Sequence, residues 1–285
     1  MAVDKLVDST QLDADLTSVA NAIRTKGGTS ASLAFPAGFV SAVNAIPTGG
    51  GGGVNLDDFM NRTEPTGAVS LPTVSKLYGY AFYNHKLITS ISAPSMTRLG
   101  AYDFGACSQL ADVSMPELLY ACSTDKADSI INPGDQCYAF ASCHKLGNVH
   151  LPKFLKSGAG MFYRCGNDQS SYNLVIVLPA VTQLGNNACY QGKYKAVDLG
   201  PNLTALNNGT FYQSTVDVLI LRSPTVVSAG NRDAVRYVHN IYVPSSLVSS
   251  YATATNWSTD AASRTVNPIE GSQYENYYAD GTPIT

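Results

Sequence analysis

The sequence predicts a mainly β solenoid with short helices and turns. It has about seven coils of 22 residues and is preceded by a small α-helical module. Three observations carry this. Prolines follow short apolar runs at Pro72, Pro94, Pro116, Pro152, Pro179, Pro201, Pro224 and Pro244, at intervals of 22, 22, 36, 27, 22, 23 and 20 residues. Ten residues after a proline come Phe82, Phe104, Phe162, Cys189 and Phe211, with Phe140 displaced by an insertion of 14. Three residues further on stand His85, Cys107, Cys143, Cys165 and Ser214. A unit this short cannot bury its apolar side alone, so stacked units share one core.

Residues 1–46 read as a small helical attachment module. Asp15, Leu16, Val19, Ala20 and Ile23 follow helical spacing between the N-cap Thr10 and the stop Gly27-Gly28. Pro36 opens a second helix carrying Phe39, Val40, Val43 and Ile46. Residues 47–53 end in five glycines, a flexible tether. Residues 54–70 form a lead-in or N-terminal cap, and the solenoid spans 71–244. In each coil a run such as Leu110-x-x-Val113-x-Met115 ends in the alternation of a short strand. Within 117–136, Thr124-Asp125-Lys126-Ala127-Asp128 and Asn132-Pro133-Gly134 have loop chemistry and hold the insertion. Residues 245–270 form a C-terminal cap helix, and 271–285 a tail.

Composition narrows the function. Charged residues are 14% and the net charge is −3, so there is no basic footprint for nucleic acid. No apolar run is long enough for membrane insertion, and the N-terminus lacks the apolar core of a secretory signal. Three of the six cysteines share one repeat position, so free buried thiols are expected rather than disulfides. Cys-x-x-Cys and His-x-x-x-His spacings are lacking, so neither a metal nor a cofactor is expected. No nucleophile elbow, phosphate loop, dinucleotide fingerprint or carboxylate pair stands out. The expectation is no catalytic residue and no enzyme. Recognition fits a chain poor in charge and rich in Tyr, Ser, Asn and Gly.

Two resemblances sharpen this. Leu99-Gly100-x-x-Asp103-Phe104-x-x-Cys107-x-x-Leu110-x-x-Val113-x-Met115-Pro116 resembles the BspA-like leucine-rich repeat. So does the closing segment Ile241-Tyr242-Val243-Pro244 through Tyr251 and Trp257. Leu16-x-x-Val19-Ala20-Asn21-Ala22-Ile23-Arg24-x-Lys26 with Leu33-x-Phe35-Pro36-x-Gly38-Phe39 resembles a segment of tail and fibre proteins of phages of gut bacteria. Together they imply a non-catalytic phage virion protein, a tail fibre, receptor-binding or head-fibre type. It would attach to other virion proteins through residues 1–46 and bind a bacterial surface glycan or protein with its solenoid. A homo-oligomer, a trimer, is implied by the fibre resemblance. The alternatives are a bacterial cell-surface adhesin and a glycan-degrading enzyme on a solenoid scaffold.

Two surfaces are candidates for binding. One is a ridge of Tyr80, Tyr83, Tyr102, Tyr138, Tyr163, Tyr190 and Tyr212 beside a core ladder of Phe82, Phe104, Phe140, Phe162 and Phe211. Tyrosine supplies contact area at low entropic cost, and its ring can stack on sugar faces. The other is the outward face of the strands, with Asp112, Ser114, Asn148, His150, Asn240 and Tyr242.

Overall fold

The computed structural model describes residues 65–122, 130–167 and 173–284. The chain divides into two units, 1–63 and 64–285. The helical module, the glycine tether, the start of the lead-in and the Thr124–Asp128 stretch lie outside the described residues.

Among the described residues, nine parallel strands form one side of the solenoid: β1 (Gly67–Ser70), β2 (Ile88–Ser92), β3 (Asp112–Ser114), β4 (Asn148–His150), β5 (Val175–Leu178), β6 (Lys193–Leu199), β7 (Thr215–Leu221), β8 (Asn240–Val243) and β9 (Thr265–Pro268). The first three are hydrogen-bonded in sequence order, and so are the last six. A bond from Gly147 N to the Ala111 carbonyl, 2.9 Å, ties the two groups. Register is kept from coil to coil, as in Ile91 opposite Val113 and Val197 opposite Leu219. Nine strands delimit eight turns, because β1 and β9 each add a rung at an end. Alternate strand residues, among them Ile91, Val113, Val149, Ile176, Val197, Leu219 and Ile241, are buried in one core. Across the core, Arg98–Leu99, Tyr120–Ala121 and Lys156–Ser157 pair as a second, narrow parallel ribbon. Coils approach closely here. A Cβ on Gly185 would lie 2.2 Å from the Gly158 carbonyl, so only glycine fits.

The third side carries the phenylalanines. In six coils the residues two before and two after the Phe position have positive φ; Tyr80 with Asn84, Tyr102 with Ala106 and Tyr138 with Ser142 are the first three pairs. This alternation turns every second N–H toward the next coil. Phe104 N bonds the Ala139 carbonyl at 2.9 Å, and Phe162 N bonds that of Ala188 at 2.7 Å. Phe82, Phe104, Phe140 and Phe162 stack with centroids 5.3, 5.6 and 5.8 Å apart. Two rungs differ from the expected buried ladder. Phe82, on the first coil, is only half-buried. Phe211 is fully buried but outside the stack, because Cys189 is too short to bridge it to Phe162.

All six cysteines are free and buried. They do more than fill space. Cys107, Cys143 and Cys165 donate S–H to the carbonyls of Phe82, Phe104 and Phe140 in the preceding coil, at 3.0, 3.1 and 2.9 Å. Ser214 does the same to Cys189, at 2.5 Å. Where Gly192 leaves this position empty, the buried Tyr194 reaches over from β6 and its hydroxyl donates to the Phe162 carbonyl at 2.6 Å. His85 holds the same position in the first coil, and among the described residues its buried Nδ1 has no hydrogen-bond partner.

The C-terminus departs from a cap helix over 245–270. Only α1 (Val248–Thr253) is α-helical; Ser245–Leu247 and Ser258–Ser263 are single 3-10 segments. Then β9 rejoins the main sheet beside β8. Tyr251 and Trp257 close the last coil by satisfying both backbone groups of Val227, at 2.9 and 2.7 Å. Residues 271–284 are not a trailing tail; they fold back on the strand side.

Candidate functional site

The structure brings the predicted tyrosines into one row and adds Tyr237. Ring centroids are 5.2 Å apart for Tyr80–Tyr102, 5.0 for Tyr102–Tyr138, 5.7 for Tyr138–Tyr163, 5.0 for Tyr163–Tyr190, 5.4 for Tyr190–Tyr212 and 5.8 for Tyr212–Tyr237. Tyr83 meets Tyr80 and Tyr102 edge-on. The row changes its sequence position midway. Tyr80, Tyr102 and Tyr138 stand two before the Phe position; Tyr163, Tyr190 and Tyr212 stand one after it. Gly160 makes the exchange possible, since a Cβ there would lie 2.3 Å from the Tyr138 ring. Stacking corrects one expectation. Tyr80–Tyr102, Tyr102–Tyr138 and Tyr163–Tyr190 are stacked, so at these three contacts the rings cover each other and present edges and hydroxyls rather than faces for sugars.

Tyr80, Tyr102 and Tyr138 have φ of 57°, 56° and 53°. Left-handed backbone costs a bulky residue about 1–2 kcal/mol. The later coils place Gly160, Asn187 and Gly209 there, residues that suit it. An aromatic pair contributes about 0.5–1.5 kcal/mol, so strain and stacking are of the same order.

The strand face is not one open surface. Asp112, Ser114 and Asn148 are exposed. His150 instead bonds Asp280 through Nδ1 at 2.8 Å, and Tyr242 is half-buried against the Tyr274 ring at 4.8 Å. Asn240 donates its side-chain amide to the Asp217 carbonyl at 3.1 Å. What covers this face is the C-terminal segment. Asp198 on β6 and Arg222 just after β7 form a bidentate pair, 2.8 Å on both arms. The guanidinium also donates to the carbonyls of Tyr274 and Tyr277 at 2.9 and 3.0 Å, and Asp198 accepts from Ala279 N at 3.0 Å. Burial raises the Asp198 carboxyl above its usual range, against the opposing pull of Arg222. Tyr278 and Ala279 pack on Val175, Val177 and Ala196. Beside this contact lies a cleft of about 800 Å³.

Sequence reasoning missed this covering. Its signal was present: Val175-Ile176-Val177-Leu178 is apolar throughout and buried throughout, where a half-exposed strand would alternate. Among the described residues, no cluster of His, Cys, Asp or Glu could hold a metal ion.

Parallel coils with a strand, a narrow opposite ribbon and a periodic turn define a leucine-rich-repeat solenoid. The chain belongs to the BspA type leucine rich repeat family, whose model matches in 6 copies over residues 59–126 and 136–232. Solved structures that match the chain include a T. pallidum leucine rich repeat protein, at 22% identity and a TM-score of 0.41, covering 54% of this chain and 73% of that one. Another is the pneumococcal vaccine antigen PcpA, at 14% identity and 0.45, covering 70% of this chain and 41% of that one. A third is a leucine-rich repeat protein from Bacteroides ovatus, at 14% and 0.35, covering 75% and 62%. This chain therefore spans less than half of the pneumococcal antigen. No curated protein matches.

Proposed function

We propose that this chain is a non-catalytic recognition protein of the adhesin kind, acting at a bacterial surface and presenting the tyrosine row. The observation that carries this is three tyrosines in left-handed backbone, where other coils use Gly or Asn. Stability alone gives little reason to keep them, since strain and stacking nearly offset. Strained residues held in place by their surroundings recur at binding surfaces. The row is rigid, and it places phenol groups at coil spacing. Membership of a repeat family whose stacked units build extended binding surfaces agrees with this. The virion reading rests on residues 1–46, which lie outside the described residues.

The test replaces Tyr80, Tyr102 and Tyr138 by Asn together. Asn tolerates positive φ, so the melting temperature should stay near that of the parent. Binding of the labelled protein to intact bacterial cells should fall sharply. Undiminished cell binding would remove the row from recognition. Immunogold labelling of the producing strain separates the two settings: envelope labelling supports the adhesin reading, particle labelling the virion reading.

A further inference from the structure

We propose that the cleft between the outer face of β4–β7 and the C-terminal segment is a saccharide-binding site, separate from the tyrosine row. It rests on the recognition reading but not on that row. The floor is a line of small apolar side chains, Val175, Ala196 and Val218, aligned by strand register. Around it stand Asn148, Asn173 and Lys195, each exposed. Among the described residues these three side chains have no hydrogen-bond or ion-pair partner. Across the cleft stand Gln273 and the Tyr277 ring, the latter 50% exposed.

This set fits a polyol better than the other ligand classes. Side-chain amides offer a donor and an acceptor in one plane, as adjacent sugar hydroxyls require. An exposed phenol ring with an apolar floor suits the C–H face of a pyranose. The volume lies within the range of small-ligand sites. Lys195 and Asp217 line the cleft with opposite charges, and Asp280 is engaged by His150, so the cleft does not select for a strongly charged ligand. An extended peptide is bound chiefly through main-chain pairing at a sheet edge. Here the floor is the face of a sheet whose main chain is already paired on both sides. The wall is preorganised as well. Arg222 and Asp198 fix Tyr274, Tyr277 and Ala279 through backbone atoms, leaving the Tyr277 ring free to meet a ligand.

The experiment uses the full chain on a printed array of bacterial and mucin oligosaccharides, followed by calorimetry with the best-binding oligosaccharide. Binding to at least one glycan is expected. Tyr277→Ala and Asn148→Ala should each weaken it about tenfold or more, as for a group at the centre of a site. Both side chains are exposed, so melting temperatures should not move. The array distinguishes bacterial from host sources. No glycan bound, or a glycan bound with affinity unchanged in both variants, overturns the proposal. Cell binding that persists without any glycan binding would leave the recognition reading standing and remove this one. The triple Tyr80, Tyr102, Tyr138 variant should bind the glycan as the parent does; a loss there would place the sugar on the row instead.

Discussion

The turn side and the strand side of this solenoid are built on different logics. On the turn side the contacts recur from coil to coil: ring on ring, thiol to carbonyl, alternate N–H to carbonyl, with one change of position where Tyr163 follows Tyr138. On the strand side the backbone ladder is just as regular, but its outer face is finished by a segment far away in sequence, with His150 reaching Asp280. The difference teaches that periodicity fixes what each coil presents, while a single non-repeating segment decides what remains accessible.

The largest expected break is on the turn side. Phe104→Ala removes a fully buried rung stacked on both faces and should cost about 3–5 kcal/mol in urea denaturation. Next, on the strand side, Arg222→Ala leaves Asp198, 1% exposed, as an unpaired buried charge. It should cost about 3 kcal/mol. Hydrogen exchange should then accelerate at Ala279 while amides beneath the tyrosine row stay protected, which would show the two sides to be separable.

Smaller effects sharpen the role of the thiols. Cys143→Val leaves the buried Phe104 carbonyl without its side-chain donor and should cost about 1–2 kcal/mol. Cys143→Ser keeps the donor, as Ser214 does, and should cost less. Equal losses would mean that the position wants only volume. A pH slope gives a separate check. Burial pushes the Cys107 thiol up to about 11, whereas an unfolded thiol titrates near ~8.5. Between these values the unfolded chain releases a proton that the folded chain keeps, so stability falls as pH rises through that window. Urea midpoints at neutral and alkaline pH should show the fall, and Cys107→Ser should reduce it.

Much of the fold was legible in the sequence because proline, phenylalanine and cysteine recur at one period. Phe104, Phe140 and Phe162 can be placed on one line from spacing alone. The directions of the rings could not. That tyrosines from two different repeat positions meet in one row depends on left-handed φ at Tyr138 and on the space above Gly160, neither of which spacing encodes. The thiols were legible as buried but not as donors, since their partner is a main-chain carbonyl. Trp257 and Tyr251 were legible as a closing motif, whereas the return of Thr265–Pro268 to the sheet was not, because its pattern is partly polar and ends in proline. The cleft was the least legible. Asn148 and His150 could be assigned to the strand face, yet Asp198, Arg222 and Tyr277 matter only through a contact that no repeat announces.

The clamp on the strand side also sets a length. The C-terminal segment is anchored at His150 on β4 and at Arg222 beyond β7, which lie three coils apart. Duplicating one 22-residue unit between those anchors would move them apart by about 4.8 Å, more than either hydrogen bond can absorb. Duplicating a unit before His150 would leave both in place. Repeat proteins change size by gaining and losing whole units, and most of this stack is open to that kind of change. The stretch under the clamp is not: there the C-terminal segment acts as a ruler, and three coils is the length it measures.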